Sequence, residues 1–222
     1  MGTWITLLLA VPFVGWLAAV VVGTQRRERR RLEALESGAR AHGWTYTAHA
    51  SEIRPRPPKL REWHRRIRFL EGFAGRQDGQ EFAVAHIVHE STDPESPGRR
   101  THATICWIRM PFPLNEVRIV PVELAEERRR LVGGELHSTG EPDFDARYRI
   151  LTGDELLGRM AAGPVVRSLL LAHQRPWSVT LQGVTLVAER ADRVPRNVED
   201  GMNGVAIAMA VARALTGRGR LR

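Results

Sequence analysis

Residues 3–23 (TWITLLLAVPFVGWLAAVVVG) carry no charged side chain, and this run constrains the chain more than any other feature. At about 1.5 Å per residue, a helix of that length reaches ~30 Å, the thickness of a bilayer's hydrocarbon core. Trp4 sits near one end, where an amphipathic ring suits the interface, and the internal Pro12 is tolerated in membrane helices. A cleaved signal peptide is the competing reading. It would need a charged start, a shorter apolar run and a small-residue cleavage site, whereas Met1-Gly2-Thr3 carries no side-chain charge and Val21 and Gly23 make a poor site. Gly2 and Thr6 fit an N-myristoylation pattern, which a full spanning segment makes redundant.

Arg26, Arg27, Arg29, Arg30 and Arg31 follow the run, and nothing basic except the terminal amine precedes it. The positive-inside rule places the arginine-rich side in the cytoplasm. The expectation is a single-pass protein of the cell inner membrane, with its N-terminus outside and its large domain cytoplasmic. The same five arginines are the candidate membrane-surface residues, because a juxtamembrane basic stretch is drawn to anionic headgroups.

The net charge of +8 invites a nucleic-acid reading, but its distribution argues against one. Residues 26–68 hold 13 basic and 5 acidic side chains, while residues 69–222 hold 20 of each. The terminal GRGRLR contributes three of those arginines, so the body of the chain is mildly acidic. Nucleic acid is set aside as a partner. Of 33 basic residues only Lys59 is lysine, a codon signature of a GC-rich genome that suggests a bacterial source. The single cysteine, Cys106, excludes an intrachain disulfide and any zinc-ribbon spacing.

The order of elements reads as α+β. Gln25–His42 continues as a helix, with Leu32, Leu35 and Ala39 at three- and four-residue steps and Gly43 ending it. Trp44–Thr47 is a short strand. Ser51–Lys59, with three prolines, cannot be regular structure. Ile67–Gly75 and Gln80–Glu90 form a hairpin around Asp78-Gly79. Ser91–Arg100 is a polar loop, and Thr101–Met110 and Val117–Val122 are two further strands. Glu123–Val132 is helical. Phe144–Leu151 is a strand candidate, and Thr152 to Glu155 reads as a capping box. Val165, Val166, Leu169, Leu170 and His173 mark a second helix after Gly163-Pro164. Pro176–Leu181 and Val184–Glu189 read as a hairpin around Gln182-Gly183. Pro195 opens a last helix with Val198, Met202, Val205, Met209 and Ala212 on one side. The expected organisation is a transmembrane helix 3–23, a basic juxtamembrane helix 24–42, a soluble α+β domain 43–216 of antiparallel sheet and packed helices, and a basic tail 217–222. A hairpin-then-helix order in each half suggests two similar sub-lobes.

Chemistry is sparse. His86 and His89 have the order His-x-x-His-Glu on a strand, where residues three apart face opposite sides and cannot share one ion. His86 belongs with Phe82, Val84 and Val88 as a core histidine. His102 and Cys106 share a strand face with Thr104 between them, the one conceivable Cys–His pair. Glu141, Asp143, Asp145, Asp154 and Glu155 cluster in sequence, but a helix start explains Asp154 and Glu155. No G-x-S-x-G, phosphate-binding glycine loop or dinucleotide fingerprint is present. No catalytic residue, metal ligand or cofactor is assigned.

The stretch Gly140–Ile150 (GEPDFDARYRI), followed by Asp154, a helix pair and the 177–189 segment, resembles a group of uncharacterised bacterial membrane-associated proteins. Their pattern is E-x-P-x-F, for which this chain has the one-residue-shorter Glu141-Pro142-Asp143-Phe144, then a second aromatic in a strand, an acidic residue opening a helix, and a closing hairpin. The resemblance implies an N-terminal membrane segment with an Arg-rich flank and no known reaction. Phe144, Tyr148 and Trp177 are then inward anchors, with Thr152 and Glu155 capping a helix. The function expected is a membrane-tethered module that binds a protein partner or an anionic lipid surface. The alternative is a membrane-tethered, hydrolase-like enzyme.

Overall fold

A computed structural model describes residues 3–54, 67–90, 100–191, 195 and 197–217, without the side chains of 3–15, 17 and 18. Most of the proline-rich stretch, the 91–99 part of the polar loop and residues 218–222 of the basic tail lie outside the described residues.

The chain opens with one continuous helix, α1 (Thr3–Ala41), so the membrane-length run and the basic stretch share a single axis. Among the described residues no helix is long and apolar enough to cross a membrane. The expected span 3–23 falls mostly on residues whose side chains lie outside the description. Strand β1 (Thr45–Thr47) and a short 3-10 turn at Ala50–Glu52 follow. Next come β2 (Ile67–Gln77), β3 (Gln80–Glu90), β4 (Arg100–Pro121) and α2 (Val122–Val132). Beyond these lie β5 (Glu135–His137), α3 (Pro142–Asp145), β6 (Tyr148–Thr152), α4 (Glu155–Ala161) and α5 (Pro164–Leu171). The long strand β7 (Ser178–Ala191) and helix α6 (Val198–Thr216) complete the described order. The α+β class is as expected.

The strands make one antiparallel sheet in the order β1-β2-β3-β4-β6-β5, with β7 also paired to β4. Asp78 and Gly79 both adopt positive φ, 51° and 76°, the geometry that matches a two-residue hairpin to the strand twist. Two expectations are corrected. The runs at 101–110 and 117–122 are one 22-residue strand, β4. The expected hairpin at Gln182-Gly183 is absent, because Leu181 and Thr185 on either side of it pair the same strand, with Val117 and Arg109. Gly183, at φ 60°, sits where the register shifts against Leu114, so the turn-like dipeptide bends a continuous strand. The two expected sub-lobes are therefore halves of one sheet, joined by the bent β4–β7 ribbon.

Helices cover one face of this sheet. α6 crosses it centrally, and its mid-section, Val205 to Val211, is buried on nearly every side. The expected stripe is widened because α4 and α5 also pack on α6, so its apolar residues are consumed inside the domain. Gly204 allows the close approach: a Cβ there would lie 2.4 Å from Cys106 Sγ and 2.5 Å from the Trp177 ring. Phe144, Tyr148 and Trp177 are fully buried, with Phe144 stacked on Tyr148 at 5.1 Å. Phe144 belongs to the short α3 rather than to a strand. The cap of α4 is also corrected, since Asp154 accepts from the Leu157 amide at 3.0 Å. Thr152 belongs to β6 and donates to the Glu116 carbonyl. The last helix starts at Val198, three residues beyond Pro195, with Asn197 as its cap.

A polar chain from the sheet surface to the first helix

The helix-covered face contains one continuous line of polar side chains. Between Phe69↔Ile87 and Gly72↔Ala85 the β2–β3 register slips, so Leu70 and Glu71 both stand opposite His86. Such a bulge re-aims a side chain, and Glu71 is turned into the layer beneath α1. Its carboxylate accepts from His86 Nδ1 at 2.9 Å and from the Arg31 guanidinium at 2.6 Å. On the other side of the ring, His86 Nε2 lies 2.8 Å from His102 Nδ1, with the two imidazoles stacked at 5.0 Å. His86 is 3% exposed, whereas His102 on β4 reaches solvent. Arg31 also binds Glu28 at 2.5 Å and donates to the Pro195 carbonyl at 3.0 Å.

Protonation follows from these contacts. Burial alone would raise the Glu71 carboxyl, but the hydrogen bond and charge of His86 and the charge of Arg31 outweigh it and hold it at about 2. A carboxylate only accepts, so His86 Nδ1 carries a hydrogen. The bond between the two rings needs one proton between two nitrogens. Desolvation and the neighbouring His86 charge lower the His102 imidazole below its ordinary range. The chain thus leads from solvent to a buried carboxylate that binds the first helix to the sheet.

The sequence-derived candidates separate in space. His86 does sit on the Phe82 and Val84 face, but as a link between Glu71 and His102. His89 faces the other way and bonds Glu189 at 3.2 Å. Cys106 does not meet His102. Its thiol donates to the Gly201 carbonyl at 3.1 Å, and burial pushes its ionisation far up. Asp145 is tied to the Thr139 and Gly140 amides, Glu141 pairs with Arg167, and Asp154 caps α4. Among the described residues no group of three or more His, Cys, Asp or Glu could hold a metal ion. Arg26, Arg27, Arg29 and Arg30 are exposed, while Arg31 turns toward the domain, with a side chain 11% exposed.

Sequence reasoning missed Glu71 and its pairing with Arg31. Two signals were available: a lone carboxylate inside the apolar run FLEGFA, and Arg31 four residues before Leu35 and eight before Ala39, on the stripe that becomes buried. Clefts of 630, 480 and 810 Å³ open elsewhere on the described surface, and none is lined by a member of the polar chain.

No family model matches this sequence, and no curated protein does. The fold is similar to the crystal structure of the mycobacterial trehalose monomycolate transport factor A, TtfA. The TM-score is 0.56 at 13% identity, covering 85% of this chain and 94% of that one. At this identity the likeness concerns the fold alone.

Proposed function

We propose that this chain is a non-enzymatic, membrane-tethered accessory factor in lipid transport, acting on a protein partner in or at the bilayer. The observation that carries the reading is α1. It is one uninterrupted helix whose first 21 residues, 3–23, are uncharged and whose C-terminal half is fixed to the sheet. Leu35 and Ala39 are buried there, and Arg31 is ion-paired to Glu71. A helix held in this way gives the domain a fixed pose relative to whatever holds residues 3–23. The lipid-transport element comes from the fold neighbour, a trehalose monomycolate transport factor. The arginine asymmetry supports a cytoplasmic domain with the N-terminus outside. The sequence resemblance to membrane-associated proteins of unknown function agrees with this reading. The polar chain serves to fix the helix, and its separation from the clefts gives a hydrolase-like reading less support.

The test is depletion of the protein in its native cell, followed by pulse-labelling of lipids and separation of membrane fractions. The expected result is accumulation of a lipid at the membrane of synthesis and its loss from its destination. Restoration should require the full chain, including residues 3–23. Unchanged lipid distribution after complete depletion would refute the transport role. A reporter active only in the cytoplasm, fused at Arg222, tests the orientation.

A further inference from the structure

The end of the sheet that carries His102 comes level with the start of the basic stretch of α1. Arg31 lies on Glu71, and Trp44, just past the helix end, lies against Gly75. From Arg31 to Ala41 the helix advances ~15 Å, and from Glu71 to Gly75 the strand advances ~13 Å. The two therefore run side by side in the same direction. Toward the N-terminus, the next row on the same sheet face is Arg68–Val88–His102, set by the pairs Arg68↔Val88 and Val88↔His102. This row is ~7 Å beyond His86, equivalent to about four or five helical residues, which is the level of Arg26 and Arg27. The final row, Glu90↔Arg100, lies ~13 Å beyond His86, or about eight or nine helical residues. That is the level of residues 22–23, where the uncharged run stops.

We propose that this end of the sheet is a docking surface for anionic phospholipid headgroups, in which Arg68 and Arg100 join Arg26 and Arg27. The inference rests on the membrane-tether reading and extends the basic surface from the helix to the body of the domain. All four side chains are exposed. Two nearby acidic groups among the described residues are engaged: Glu90 lies 3.4 Å from Arg100, and Glu28 is paired with Arg31. The charge complements an anionic leaflet, and the uncharged part of α1 leaves the domain at this end. Helix and sheet thus meet the headgroups together, and His102 places one end of the polar chain at that surface.

The experiment uses the full chain in nanodiscs of phosphatidylcholine, alone or mixed with phosphatidylglycerol, containing a lipid with a nitroxide on its headgroup. A fluorophore is attached through Thr101→Cys at the proposed contact or Gln77→Cys at the far end of β2; the buried native Cys106 stays unlabelled. Quenching at position 101 is expected to exceed that at position 77 several-fold in the anionic discs. Arg68→Ser with Arg100→Ser, both outside the polar chain, should reduce quenching at 101 in anionic discs and leave neutral discs unchanged. Equal quenching at the two positions, or quenching at 101 indifferent to both lipid charge and the substitutions, would overturn the docking surface while leaving the tether intact. Release of the full chain from cell membranes by alkaline carbonate would overturn the tether and this surface with it.

Discussion

Replacing Glu71 by Gln keeps the size of the side chain and one carbonyl acceptor but removes the charge that joins Arg31 to His86. Folding carries this carboxyl from an ordinary 4.5 to about 2, and at 1.36 kcal/mol per tenfold change its ionisation contributes about 3 kcal/mol at neutral pH. Two charge-assisted hydrogen bonds at about 1.5–3 kcal/mol each bound the loss from above, reduced because Arg31 keeps Glu28 and the Pro195 carbonyl. A destabilisation of about 2–3 kcal/mol at pH 7 is therefore expected. Because the folded-state value is depressed, this stability is fully present above pH ~4.5 and is lost as the pH falls toward 2. Wild type and Glu71→Gln should differ fully at pH 7 and 5.5, and the difference should shrink by pH 3.5. Urea unfolding followed by tryptophan fluorescence measures it, since Trp107 and Trp177 are buried. A difference below about 0.5 kcal/mol at pH 7, or one equally large at pH 3.5, would refute the ion-pair account of how α1 is held.

Three further perturbations test the packing around this clamp. Gly204→Ala places a methyl group 2.4 Å from Cys106 Sγ and should cost about 1–3 kcal/mol; urea midpoints should show partial recovery when Cys106→Ala is combined with it. The Cys106 thiol should resist a disulfide exchange reagent in the native protein and react fully in denaturant, because burial suppresses its thiolate; titration with a chromogenic disulfide measures this. Asp154→Ala removes the cap on the Leu157 amide and should lower stability by about 1 kcal/mol, read from the thermal midpoint.

Local chemistry was legible where one residue decides the outcome. Asp78-Gly79 specifies its hairpin because both positions need positive φ, and Gly43 stops α1 for the same reason. Gln182-Gly183 carries a similar signal and was misread, because a glycine can equally bend a strand that stays paired to one partner. Only the partner strand β4 resolves that choice, and strand partnership is non-local. The same limit applied to the polar chain. His86 was correctly placed on an apolar face, yet its neighbours come from three other elements: a bulge on β2, a diagonal position on β4 and helix α1. A bulge of one residue changes which side chains converge, and no periodicity announces it. Cys106 and His102 share a face as expected, but four residues of extended strand hold them ~13 Å apart, and α6 covers Cys106.

The unbroken α1 leads to one more test, which separates a protein partner from a lipid surface. A single alanine inserted between Thr24 and Gln25 moves the domain only ~1.5 Å along the helix axis but turns it ~100° relative to residues 3–23. Neither Thr24 nor Gln25 packs into the domain, so the clamp at Arg31, Leu35 and Ala39 is untouched and the fold should be retained. A lone helix can rotate in lipid, so the headgroups meet the same sheet end at nearly the same depth, and quenching at position 101 should be unchanged. A partner that touches both the uncharged run and the domain sees the two surfaces out of register. The insertion should therefore abolish rescue of lipid distribution in depleted cells while leaving membrane placement intact. Full rescue by the inserted chain would show that the two segments do not engage one partner together, and the role of α1 would reduce to holding the domain at the membrane.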